Sequence, residues 1–294
     1  MTFHEFKNLI YDQYRPSMYE LFNDERVKAN RRSYAFSGIE LYFEVFKLIQ
    51  PYIAQNSCII DIGSYPGTFL RLLQLIFIEN RIKLYGQGLV CEDNEIVKYN
   101  GHAEANPNIN CIRTNMPFIK FMQNEKIEFF QNNLDYCDSS ILKSTKPDDL
   151  QLKFDIVTCM EVIEHLHTPF LLFDFLNKVT KKDGVCVLET NNVAYLRGMV
   201  KLLKGTSNLD FDLIEKYSLN DITIKQPHIR FYSLFEINTL FEKAGFKIIK
   251  SYEFNWGYPP SIMQESKSKL SAYIKRMNFI RKLKSHIIVL AQKK

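Results

Sequence analysis

Short apolar runs alternate with longer amphipathic stretches along most of this chain, an order that predicts a sheet interleaved with helices. The clearest unit is Ser57 to Leu75. Its first part, Ser57–Ile62, is too brief for a helix and rich in β-branched residues, so it predicts a buried strand. Gly63, Ser64, Tyr65, Pro66 and Gly67 break that strand. Thr68 is placed to cap a helix whose apolar face is Phe69, Leu72, Leu73 and Ile76. Upstream, Phe3, Phe6, Leu9 and Ile10 mark one helix, and Ile39, Tyr42, Phe43, Phe46 and Ile49 mark a second, stopped by Pro51.

The same rhythm continues downstream. Strands are predicted at Lys83–Leu89, Lys126–Phe130, Phe154–Met160 and Val185–Glu189, the last entered through a Lys182-Asp183-Gly184 turn. A helix over Phe170–Val179 follows Pro169. Residues 191–230 break the pattern, as a substrate lid at the carboxyl edge of a sheet would. Ser233 with Glu236 forms a capping box that opens a helix to Lys243. Phe246–Phe254 is a sixth strand, Trp256–Lys284 a second excursion, and Ser285–Ala291 a final strand. Strands alternating with helices predict an α/β, doubly wound, largely parallel sheet.

Composition narrows the class. At 294 residues and 46% hydrophobic, the chain has material for a substantial core. A net charge of +5 permits an anionic substrate without demanding nucleic acid. The six cysteines form no C-x-x-C pair, and Cys58, Cys159 and Cys186 fall inside predicted strands, so a reducing, cytoplasmic setting is expected. The N-terminus is too polar for a signal peptide, and no apolar run approaches the roughly 18 residues that cross a bilayer.

Two stretches carry candidate chemistry. The first is the glycine loop after Asp61. A phosphate-binding P-loop needs a Gly-Lys-Ser/Thr ending and a dinucleotide fingerprint needs G-x-G-x-x-G; this loop has Asp61-x-Gly63-x-x-x-Gly67 instead. The second is Glu161-Val162-Ile163-Glu164-His165-Leu166. On a helical turn Glu161, Glu164 and His165 share one face, where two carboxylates and an imidazole suit a hydrophobic core badly. Three roles stand open for them. Glu164 and His165 orient each other and the loop; or His165 is a general base; or all three bind a divalent metal.

The glycine loop resembles the first motif of class I S-adenosylmethionine (SAM) methyltransferases, and E-V-I-E-H-L resembles the stretch after strand four in ubiquinone-type and related bacterial O-methyltransferases. The resemblance covers roughly Tyr52–Phe254 and implies a Rossmann-like seven-stranded sheet with its last strand antiparallel. It implies one methyltransferase domain over 1–294, with a helical cap (1–54), a SAM-binding core (55–192), a lid insertion (193–230) and a C-terminal part (231–294) containing the 256–284 excursion. By the resemblance, Asp61 answers the ammonium of SAM. Gly63, Ser64, Tyr65, Pro66 and Gly67 wrap its methionine part, Asn133 and Leu134 edge the adenine, and Met160 and Glu161 lie near the sulfonium. The acid that usually receives the ribose hydroxyls is replaced by Gly88, so Gln87, Glu92 or Asp93 serves instead or the ribose is held differently. The E-x-x-E-H run also resembles small-RNA 3′-terminal ribose 2′-O-methyltransferases, in which these residues and a distant His hold Mg²⁺. Mapped here, that metal set is Glu161, Glu164, His165 and His228.

The resulting expectation is a SAM-dependent methyltransferase acting on an oxygen, ahead of nitrogen, of a small molecule or surface glycan. His165 and Glu164 would be catalytic, and Tyr195, Arg197 and Arg230 would contact the acceptor. The rivals are a metal-dependent RNA ribose 2′-O-methyltransferase and a non-catalytic SAM-binding module. Peripheral membrane contact through the basic, amphipathic Lys267–Lys284 stretch is a further alternative.

Overall fold

The computed structural model describes residues 1–9, 38–64, 67–88, 122–131, 134, 152–206 and 228–255, together with 284–294; at Gln131 and Arg197 it describes the backbone only. Tyr65, Pro66, Glu92, Asp93 and Asn133, most of the predicted lid and the 256–283 excursion lie outside these residues.

Seven strands form one sheet: β1 (Cys58–Ile62), β2 (Lys83–Gly88), β3 (Glu128–Gln131), β4 (Phe154–Met160), β5 (Thr180–Asn191), β6 (Phe246–Phe254) and β7 (His286–Lys293). Their spatial order is β3-β2-β1-β4-β5-β7-β6. The first five pair in parallel, and β7 enters between β5 and β6, antiparallel to both. The predicted parallel run of six strands is therefore divided, with β6 bonded to the sheet through β7 alone. The order steps outward from β1 in both directions, which opens a crevice above the carboxyl ends of β1 and β4, the usual ligand position in such sheets.

Helices cover both faces. On one, α2 (Ile39–Ile49) and α3 (Thr68–Ile76) bury Val45, Phe46, Ile49, Phe69, Leu72 and Leu73 against Ile59, Ile156, Val187 and Ile288. The short α1 (Phe3–Asn8) adds Phe6 to that cluster. On the other face, α4 (Pro169–Val179) and, beyond α5 (Leu196–Leu203), α6 (Leu234–Lys243) bury Leu172, Leu176, Ile237 and Phe241 against Ile60, Val157, Cys186 and Val289. With both faces covered, the strands read as continuous Ile, Val and Leu runs, as buried parallel sheets do. The capping box of α6 is formed: Ser233 Oγ accepts from Glu236 N (3.2 Å), while Glu236 Oε2 accepts from Ser233 N (2.8 Å). Such a cap contributes about 1 kcal/mol.

Two local expectations change. Thr68 is the first residue of α3, and Gly67 takes the N-cap position at φ +82° with no side-chain cap. Glycine wins there because the chain leaves the loop in the left-handed region that a Cβ disfavours. Strand β5 begins at Thr180, before the predicted turn. Its register against β4 jumps from Phe154–Thr180 to Ile156–Val185, so Lys182-Asp183-Gly184 sits in a bulge within the strand. A Cβ on Gly184 would lie 2.9 Å from the Lys181 carbonyl oxygen, and that crowding explains the glycine.

Candidate active site

The glycine loop is set by its neighbours on both sides. Gly63 has φ +71°, and a Cβ built on it would stand 2.3 Å from Val162 Cγ2. The loop after β1 therefore touches the loop after β4 through a contact that only glycine allows. The loop's start is fastened to the end of β2: Ser64 N donates to the Gln87 carbonyl (3.0 Å), and Gly63 N points at Gln87 Oε1 (3.4 Å). A Cβ on Gly86 would meet Ser64 Oγ at 2.6 Å, so that strand glycine makes room for the loop.

Asp61 lies under this loop, buried, with Thr158 Oγ1 donating to its Oδ1 at 2.7 Å. Burial raises its pKa from the ordinary 3.8 to about 7, and the threonine bond offsets only part of that. A buried carboxylate of this kind calls for a cation, and an ammonium group on a ligand supplies one. The residues that sequence placed around the rest of the cofactor behave differently. Gln87 is buried, with its Oε1 toward the loop backbone at Gly63 N. Gly88 ends β2 beside the Phe129 ring at an ordinary 3.5 Å contact, so packing does not explain the missing acid. Leu134 is buried in the core with Phe130 and Tyr85.

The Glu161–Leu166 stretch is not the helical turn that its spacing suggests. Glu161 adopts φ +53°, in the left-handed region, and only Ile163–His165 form a 3₁₀ turn. The three side chains are thereby split between two groups. Glu164 is fully buried and accepts from Thr190 Oγ1 at 2.8 Å. Its main-chain carbonyl accepts from Ile229 N at 2.7 Å, which ties the 228–232 segment to the turn. That segment is held again where Asn192 bridges Tyr232, beside the end of β5. His228 arrives in this way beside His165, with ring centroids 4.8 Å apart. One donor atom from each of Glu164, His165 and His228 lies within 4.8 Å of the others. Burial, and then Glu161, raise Glu164 to a pKa of about 8.

Glu161 falls into the second group, with Glu189 at the end of β5 and His286 at the start of β7; their donor atoms again lie within 4.8 Å of one another. The expected four-residue metal set is therefore not a single group, because the backbone turn at Glu161 sends its carboxylate elsewhere. His286 Nε2 is 3.7 Å from Glu161 Oε1. Burial lowers the His286 pKa to about 4 despite that neighbour, so at neutral pH the contact is not an ion pair. Sequence reading gave neither Glu189 nor His286 a role, since no local spacing links them to Glu161. Strand register is what unites them: Glu189 pairs with Met160 on one side and Ile288 on the other. Of the expected acceptor contacts, Arg230 is ion-paired to Glu236 and lies over the Tyr232 ring, and Tyr195 packs beside Phe231.

A seven-stranded sheet ordered 3-2-1-4-5-7-6, with a glycine loop and a buried acid on its first strand, defines a class, and comparison with known proteins agrees. A model of the family described as "Methyltransferase domain" matches residues 30–251, and the chain belongs to that family. A SAM-dependent methyltransferase from Archaeoglobus fulgidus superposes with TM-score 0.50 at 18% identity, covering 86% of this chain and 94% of its own, and supports the fold. By family and by fold the protein is a class I SAM-dependent methyltransferase. Two curated relatives, both named ubiquinone biosynthesis O-methyltransferase, from Psychrobacter cryohalolentis and Psychrobacter arcticus, are 48% identical over 40 residues. That stretch spans 14% of this chain and 16% of each relative. SAM fits the residues present: the loop leaves no room for side chains at Gly63, and Asp61 waits beneath it for a positive group. Among the described residues no helix is long and apolar enough to cross a membrane.

Proposed function

We propose that this chain transfers a methyl group from SAM to an oxygen atom of a small molecule or glycan. The observation that carries this reading is the convergence of Glu164, His165 and His228 beside Val162, the residue packed on the glycine loop. The base and the cofactor cradle are thereby coupled through one short turn. The partial likeness to enzymes named ubiquinone biosynthesis O-methyltransferase adds weight to an oxygen acceptor.

SAM supplies an electrophilic methyl group on a sulfonium centre. Asp61 would accept hydrogen bonds from the ammonium of the cofactor, and Gly63, with no side chain, would let it approach the backbone. His165 would accept the proton of the acceptor hydroxyl as its oxygen bonds the methyl carbon and the carbon–sulfur bond breaks, the cofactor leaving as the neutral thioether. Positioning supplies much of the rate, because a direct displacement needs nucleophile, carbon and leaving group in line. Glu164, held by Thr190, orients the turn that carries His165.

A second reading uses the same three residues as ligands of a divalent cation that lowers the pKa of a ribose hydroxyl, as in the RNA 3′-end enzymes. It is favoured by the mutual approach of one carboxylate and two imidazoles. A labelled-methyl transfer screen against quinols, glycans and RNA 3′ ends separates the two. Transfer to a small acceptor that persists in EDTA supports the base. Transfer only to RNA ends, abolished by EDTA, supports the metal. No transfer to any class, with SAM bound, overturns both in favour of a binding module.

A further inference from the structure

The Glu161–Glu189–His286 group is not used by the reaction just described, and three features point it toward a ligand of its own. Glu189 is fully buried, and among the described residues no basic side chain hydrogen-bonds its carboxylate, which lies against the main chain and side chain of Glu161. A buried acid left this way destabilises the fold unless it stays protonated or something positive joins it. The two neighbours nearest its oxygens do not solve the problem. Glu161 is a second carboxylate, and His286 Nε2 stands 3.7 Å from its Oε1, beyond hydrogen-bond reach.

His286 is also arranged as metal-binding histidines are. Its Nδ1 is engaged by Ser285 Oγ at 2.7 Å, which fixes the ring and leaves Nε2 directed at the carboxylates. An outer hydroxyl that orients the imidazole is the recurrent support of such ligands. The third feature is backbone geometry. Glu161 accepts a left-handed φ of +53°, a conformation that is strained for a non-glycine residue. The turn places its carboxylate with Glu189 and His286 rather than with Glu164 and His165.

We propose that Glu161, Glu189 and His286 form a divalent-cation site, distinct from the Glu164–His165–His228 group. Two carboxylates and one imidazole suit Mn²⁺, Zn²⁺ or Mg²⁺, whose ligand distances of about 2.0–2.2 Å require the three donors to close inward slightly. Glu161 is the one half-exposed member, so the open coordination positions face the crevice on its side. The inference does not depend on which acceptor the enzyme methylates.

Mn²⁺ is the probe. Binding to the full chain is followed by calorimetry and by the loss of free-Mn²⁺ paramagnetic signal. The wild type binds one Mn²⁺ that Glu189→Gln and His286→Gln each weaken tenfold or more, while His228→Ala leaves it within threefold. Far-UV circular dichroism and SAM binding confirm that the variants fold. Should both direct variants fail to fold, Ser285→Ala decides: its expected loss is ~10–100-fold in Mn²⁺ affinity, and an unchanged affinity overturns the site. The proposal also falls if the wild type takes up no Mn²⁺ at millimolar concentration, or if its only Mn²⁺ is lost in His228→Ala and kept in Glu189→Gln.

Discussion

The two polar groups at the carboxyl edge of this sheet begin from the same stretch after β4, yet they are assembled by different means. Glu164 and His165 are neighbours in sequence, and His228 is brought to them by main-chain bonds from Ile229 and Arg230 to the Glu164 carbonyl. Glu161, Glu189 and His286 come from three different parts of the chain, joined only because β4, β5 and β7 are adjacent. Alternation along β5 separates the groups further: Thr190 bonds Glu164, while Glu189, one residue earlier, faces the other side of the sheet. A motif that reads as one cluster in sequence is divided in space by one left-handed residue.

The sharpest break comes at His165. If the first group does the chemistry, His165→Ala lowers kcat by ~10²–10⁴-fold with the SAM dissociation constant unchanged. Full turnover in both His165→Ala and His228→Ala would remove that group from the reaction.

The cofactor side is tested at Asp61. Loss of a charge-assisted hydrogen bond in Asp61→Asn weakens SAM binding about 10–100-fold by calorimetry. An unchanged dissociation constant would move the ammonium site elsewhere.

The link between cradle and turn is tested at Gly63. Gly63→Ala meets Val162 Cγ2 and keeps an unfavourable φ, so chemical denaturation shows a loss of about 1–3 kcal/mol. Adding Val162→Ala recovers the steric part and leaves the backbone part. Additive losses in the double variant would mean that the two loops do not touch.

Thr190→Val leaves the buried Glu164 short of a donor. A stability loss of about 1–3 kcal/mol is expected, with the Mn²⁺ affinity of the second group unmoved.

The smallest effect is a slope with pH. Asp61 and Glu164 have folded-state pKa values near 7 and 8, raised from ordinary carboxylate values by burial. Their protonated forms therefore favour the folded state, and that stability is lost as pH rises through the folded values. His286 acts oppositely but only below its ordinary 6.5, where its depressed pKa costs stability as pH falls. The melting temperature of the cofactor-free protein thus declines from pH 6.5 to above 8. Saturating SAM flattens the slope, because it favours ionised Asp61. A flat profile without cofactor would show that neither acid is as buried as the structure has it.

Much of this was legible along the chain. The β-branched runs, the capping box at Ser233 and the break at Gly63–Gly67 determined the alternation of strands and helices, because each depends on residues a few positions apart. The Asp61 and Gly63 pair could be read for the same reason. Fold packing alone decided the rest. It buried Gln87 and Leu134, inserted β7 between β5 and β6, and brought His286 and Glu189 to Glu161. Sequence spacing also assigned Glu161 to a helical face, whereas a positive φ turned it away. Local pattern records what a residue does to its own turn or strand. Which distant side chains then share a few ångströms is settled by strand order and register, and no neighbour in the sequence reports those.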